Sequence, residues 1–84
     1  MKSDSFYVLY EMSGFKDTLE FICLHHGIAL PVYTTTVIHG EELKFQTSVL
    51  VAGKVIVGEI RDTTKRAEGS AAELAAAVVD EMYE

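Results

Sequence analysis

Leu43-Lys44-Phe45-Gln46-Thr47-Ser48-Val49-Leu50-Val51-Ala52-Gly53-Lys54-Val55-Ile56-Val57 is the stretch whose pattern decides the fold. Leu43, Phe45, Thr47, Val49 and Val51 fall on one side of an extended chain, with Lys44, Gln46 and Ser48 on the other. That is the two-residue period of a half-buried strand. Leu50 breaks it by adding an apolar side chain to the polar side. Ala52-Gly53 has the length of a two-residue hairpin turn, so a second strand from Lys54 to Ile60 returns antiparallel to the first. Such a turn pairs Val51 with Lys54 and Val49 with Ile56. Phe45, Val49, Val51, Ile56 and Ile60 then share a core face, and Leu50, Val55 and Val57 fall opposite. A change of one residue in the loop would exchange the two faces.

Upstream, His39-Gly40-Glu41-Glu42 reads as a turn, and Val32 to Ile38, with three threonines and two valines, suits a strand. Before it, Phe15, Leu19, Ile22, Cys23 and His26 recur at three- and four-residue steps, one stripe of a helix that Gly27 ends. Phe6-Tyr7-Val8-Leu9-Tyr10 is an apolar run of strand length, set apart by Ser13-Gly14, and Met1 to Ser5 is expected to fray. Downstream, Arg61 to Thr64 is a polar connection ending in threonines suited to cap a helix. Lys65 to Met82 is then one long helix, with Ala67, Ala71, Leu74, Ala75, Val78 and Met82 in register. The expected fold class is α+β. Residues 1–13 form an extension with a short strand. Residues 14–84 form an α-β-β-β-α domain, a three-stranded antiparallel sheet with two helices on one face.

Composition narrows the function. The chain has 84 residues, enough for one small core, and a formal net charge of −6 argues against broad attraction to nucleic acid while leaving room for a small basic patch. No apolar run reaches the roughly 18 residues of a membrane span, and no secretory signal opens the chain. The single cysteine permits no internal disulfide, and its place on the inward stripe marks Cys23 as a buried, inert thiol. Adjacent His25 and His26 point in different directions on a helix, which argues against a metal pair. Glu20, Glu41, Glu42 and Glu59 form no acid/base pair with a cleft. The reading is of a non-catalytic domain without cofactor, metal or small-molecule substrate.

From Phe15 onward these residues resemble the double-stranded RNA-binding domain (dsRBD) family, in its plant, Dicer-accessory form. Phe15-Lys16-Asp17-Thr18-Leu19-Glu20-Phe21 is similar to the tyrosine-lysine-asparagine-x-leucine-glutamine-glutamate opening of plant members. Pro31-Val32-Tyr33 resembles the proline-x-tyrosine of the first family strand. Phe45, Val49, Val51 and Gly53 match phenylalanine-x-x-x-valine-x-valine-x-glycine, and Ala67-Glu68-Gly69-Ser70-Ala71-Ala72-Glu73 resembles the last helix. The resemblance implies an intracellular protein of the nucleus, the cytoplasm or both, in RNA silencing or dsRNA processing.

The family reads A-form RNA by shape over about 16 base pairs. Each of its three contact regions is altered here. Phe21 stands where the family's ribose-binding glutamate belongs, and a ring cannot accept a hydroxyl's hydrogen bond. The loop between the first two strands carries Glu41 at the family's histidine position, with Glu42 beside it and His39 displaced by two residues. Carboxylates facing a phosphate-lined groove are repelled, although a solvated acidic turn accounts for them equally. At the last helix, Thr64-Lys65-Arg66-Ala67-Glu68 replaces lysine-lysine-x-alanine-lysine. Cations in a first turn oppose the helix dipole, and phosphate would give a reason for them; the alternative is that Asp62 and Glu68 neutralise them.

Leu50, Val55 and Val57 cluster on the face the helices do not cover, and Lys54 and Glu59 blunt the nearby edge only in part. Two covers fit: the chain's own Phe6–Tyr10 strand, or a strand or sheet from a partner. Family members that lack RNA contacts include homo- and heterodimer modules, often through the third strand. The resemblance therefore implies a protein interface of Leu50, Val55, Val57 and Glu59 with a second copy or another dsRBD-type protein. The alternative is weak dsRNA binding by Thr64, Lys65, Arg66 and His39.

Overall fold

The computed structural model describes the backbone of residues 4–83 and the side chains of residues 14–83. The order is α1 (Asp4–His26), β1 (Val32–Ile38), β2 (Lys44–Val51), β3 (Lys54–Val57) and α2 (Thr64–Met82). The strands form one antiparallel sheet in the order β1-β2-β3. This is the expected α-β-β-β-α domain. The extension differs: Phe6–Tyr10 lies in α1 and is helical, not a strand. A short apolar run fits either structure by periodicity alone, and here the run continues a helix instead of joining a sheet. Its own cover for the sheet, as a strand, is therefore not formed.

Gly14 interrupts α1 with φ 79° and ψ 172°, so the helix restarts at Phe15. Only glycine adopts that conformation at little cost. The same helix ends as its sequence anticipates. Gly27 takes φ 67°, its N–H donates to the Leu24 carbonyl at 3.2 Å, and the Ile28 N–H donates to the Cys23 carbonyl at 3.0 Å. These paired bonds satisfy two carbonyls that the helix leaves open, and Ile28 folds back onto the core beside Cys23.

The hairpin register is the expected one: Val51 pairs with Lys54 and Val49 with Ile56. Ala52 (φ 52°) and Gly53 (φ 74°) both take positive φ, which matches the right-handed twist of the flanking strands. The strand was expected to continue to Ile60 on the core face, but β3 stops at Val57. Val57 pairs with Ser48, whereas the next bridge joins Phe45 to Arg61, with two backbone bonds of 2.8 Å. One extra residue has entered on the β3 side, a β-bulge. The parity changes there, so Ile60 turns from the core and is 50% exposed. The displaced backbone is not left unsatisfied: the Glu59 N–H donates to Ser70 Oγ at 2.9 Å, and Gln46 Nε2 donates to the Gly58 carbonyl at 3.1 Å.

α2 packs against α1 on one side and against β2 on another. It therefore buries two adjacent stripes, Ala67, Ala71 and Ala75 together with Ala72, Ala76 and Val79. Leu74 and Met82, expected in the buried register, are exposed instead. Alanine carries this packing because the backbones come close. A Cβ on Gly58 would sit 2.6 Å from the Ala71 nitrogen. Leu19, Ile22 and Cys23 of α1 and Val49 and Val51 of β2 complete the core.

Candidate protein and nucleic-acid interfaces

The helices cover one face of the sheet and leave the other open. Val49 and Val51 are buried, while between them on the same strand Leu50 is 49% exposed. Register extends that contrast across all three strands. Val32 lies opposite Leu50, and Leu50 opposite Val55, so one row crosses the open face with Val32 59% and Val55 67% exposed. Val57, at 53%, adds the next row, beside Ser48 and Thr34. Leu50, Val55 and Val57 thus come together as expected. Val32 was missed. Its alternation is masked by three consecutive threonines, and only the β1–β2 register assigns it to this face. Glu59 lies in the bulge at the end of β3, paired with Arg61 at 2.6 Å.

The second candidate surface is the start of α2. Thr63 is the cap: its Oγ1 accepts from the Arg66 N–H at 3.1 Å, which leaves Thr64 exposed as the first helical residue. Arg66 is 70% exposed and meets Asp62 at 3.4 Å, one turn back. The second expected neutralising contact is not formed. Glu68 bonds Lys16 of α1 at 3.0 Å, so Lys65 has no ion pair among the described residues. The first turn of α2 holds no acidic residue. Lys65, Arg66 and Gly69 face Gly14, Phe15, Lys16 and the single acidic residue Asp17 across an open depression between the starts of the two helical segments. Cations and two helix N-termini converge there, a setting that favours an anion.

The other positions that the resemblance places against RNA are not assembled with these. His39 is exposed in the β1–β2 loop beside exposed Glu41 and Glu42, with Lys44 at 4.0 Å from Glu42. Phe21 is half exposed on α1 and stacks on His25 with ring centres 6.1 Å apart. His26 stacks in turn on Tyr83 at 4.5 Å, tying the ends of the two helices together.

In the core, burial pushes the Cys23 thiol up from its ordinary value, and the nearby Glu20 carboxylate adds to the effect. The thiol is therefore held protonated, the opposite of an activated nucleophile. Tyr33 is pushed up to about 12, first by burial and then by the acidic groups around it. Its hydroxyl has no hydrogen-bond partner among the described residues, while Lys16 Nζ lies 4.9 Å from its ring centre.

An antiparallel three-stranded sheet with two helices on one face, and a cationic start to the second helix, defines the dsRBD class. Comparison with solved structures agrees. The chain is 34% identical to the second dsRBD of DRB4, covering 80% of this chain and 96% of that one, with a TM-score of 0.66. Against the solution structure of both dsRBDs of DRB4 with their linker, identity is 32% and TM-score 0.72. That match covers 86% of this chain and 47% of that one, so the chain spans about half of the two-domain structure. Against Arabidopsis HYL1, from a structure described for its implications for miRNA processing, identity is 26% over 83% of this chain and 97% of that one, with a TM-score of 0.69. No family model matches the chain, and no curated protein matches it by sequence. The chain belongs to the double-stranded RNA-binding domain family.

Proposed function

We propose that this chain is a non-catalytic module of an RNA-silencing or dsRNA-processing complex, working mainly by binding a like-folded protein through its open sheet face. The observation that carries this reading is the row Val32–Leu50–Val55 with Val57 beside it, apolar and about half exposed or more. Contiguous apolar surface of this kind on an open sheet is characteristic of interaction sites. The altered RNA contacts point the same way. Phe21 cannot accept a ribose hydroxyl's bond, the β1–β2 loop presents Glu41 and Glu42, and Glu68 occupies Lys16. Val57→Asp is expected to abolish binding to a separate like-folded partner protein, read as the mass of the mixed complex, while Lys65→Glu/Arg66→Glu leaves it unchanged.

A second reading rests on Lys65, which has no ion pair among the described residues, beside Arg66 at the start of α2: weak recognition of duplex RNA by phosphate contacts. Titration of a labelled duplex of about 20 base pairs, longer than the family footprint, separates the two. Micromolar saturation that falls steeply with salt and disappears in Lys65→Glu/Arg66→Glu would replace the interaction reading with the RNA one.

A further inference from the structure

β1 is an outer strand, and Val32–Ile38 contains neither a charge nor a proline. Exposed edges are ordinarily blunted by such residues or by a bulge. The other edge obeys that rule: β3 is short, carries Lys54 and ends in the bulge. β1 has none of these devices.

Its free backbone groups can be assigned. On β2, Phe45 exchanges both of its bonds with Arg61, and the Thr47 carbonyl accepts from the Gly58 N–H at 2.9 Å, so these residues face β3. Alternation along an antiparallel ladder then turns Lys44, Gln46, Ser48 and Leu50 toward β1. Their partners Ile38, Thr36, Thr34 and Val32 use their backbone bonds inside the sheet. Tyr33, Thr35 and Val37 therefore aim N–H and C=O outward at the open edge. The side chains are arranged with matching symmetry. Moving outward from Thr35 in either direction gives a threonine (Thr34 or Thr36), then Tyr33 or Val37, then Val32 or Ile38. Val37 is 43% exposed although it lies on the helix-covered face.

We propose that β1 pairs antiparallel with β1 of a second copy about a two-fold axis through Thr35, joining two sheets into one. Thr35 then meets Thr35, Thr34 meets Thr36, Tyr33 meets Val37, and Val32 meets Ile38. Each facing pair is threonine on threonine or apolar on apolar, the combinations that stabilise neighbouring strands. The outward groups of Tyr33, Thr35 and Val37 are those that form mutually bonded pairs in this register. The Tyr33 ring comes beside the exposed Val37 of the other copy. The same contact lengthens the open-face row, because Val32, already beside Leu50, gains Ile38. An interface of this kind is self-complementary, as a two-fold axis requires. It uses a different surface from the open face and stands whether or not that face binds a partner.

The test is the mass of the 84-residue chain in solution across a concentration series, with melting by circular dichroism as the fold control. The mass is expected to rise from one chain to two. Thr34→Lys/Thr36→Lys sets like charges opposite one another on both sides of the axis and is expected to weaken association about tenfold or more. Thr34→Lys/Thr36→Glu sets opposite charges in the same places and is expected to stay within about threefold of the original. Val37→Pro removes an N–H that faces solvent in the single chain, which an edge strand tolerates, and is expected to abolish the dimer. A one-chain mass at every concentration overturns the proposal, and so do equal affinities for the two charge variants. Loss of the dimer in Val57→Asp but not in the β1 variants also overturns it, moving the contact to the open face and leaving the proposed function standing.

Discussion

Val49 and Val57 sit on adjacent strands of one sheet, share the same side chain and face opposite ways. Val49 is fully buried beneath α2, whereas Val57 is more than half exposed on the uncovered side. One face is filled by alanines, valines and a close glycine contact that leave no room. The other carries apolar residues with nothing from the described chain above them. The first face accounts for stability and the second is the one assigned to partner binding under the proposed function, so the same substitution is expected to have different consequences on each.

The sharpest way to break that comparison is a matched pair. Val49→Asp buries an unpaired charge and is expected to cost more than about 4 kcal/mol, enough to unfold a small domain. Val57→Asp is expected to change stability by less than about 1 kcal/mol while removing partner binding. Chemical denaturation of both variants checks the pair; equal losses would mean that the open face belongs to the core.

Gly58→Ala probes how closely α2 approaches the sheet. Its Cβ would press on the Ala71 backbone, which cannot rotate away, so a loss of about 1–3 kcal/mol is expected. A thermal melt unchanged by the substitution would contradict the close contact.

Tyr33→Phe tests a polar group on the covered face. The hydroxyl is buried without a partner among the described residues, so its removal is expected to be neutral or to stabilise by up to about 1 kcal/mol. The pH dependence has a definite sign. Tyr33 titrates at about 12 in the folded chain, against an ordinary value of 10.0. Below the lower value both states are neutral and stability is unaffected. Between the two, the unfolded chain releases a proton that the folded chain keeps, so stability falls as pH rises. Tyr33→Phe is expected to flatten that part of the alkaline slope in denaturant melts taken at successive pH values.

The smallest effect is at the start of α2. Lys65→Glu replaces a cation that opposes the helix dipole with a favourable anion, for a gain of about 0.3–1 kcal/mol in a thermal melt. A loss of stability would show that Lys65 has a structural role beyond the contacts described above.

Much of this architecture follows from local patterns. The hairpin register is legible because Ala52-Gly53 leaves only one way to pair Val49 and Val51. The end of the α1 stripe is legible because Gly27 supplies the left-handed residue that closes the helix. Leu50, Val55 and Val57 on an uncovered face follow from that same register. Phe6–Tyr10 did not yield to the same method, since an apolar run of that length carries no period to separate strand from helix.

By itself, then, the sequence determined the order of the elements from Phe15 onward and the register of the hairpin. These depend on neighbours in the chain, where backbone geometry and side-chain period act directly. Tertiary structure alone decided which side of α2 is buried, because contact with both α1 and β2 widens its apolar stripe. It also decided where β3 gains a residue and turns Ile60 outward, and that Glu68 meets Lys16 of α1. Those outcomes depend on the distance between elements far apart in the chain, which no local pattern encodes. Among the described residues Lys65 has no ion pair, because Glu68, in the next turn of its own helix, reaches Lys16 on another.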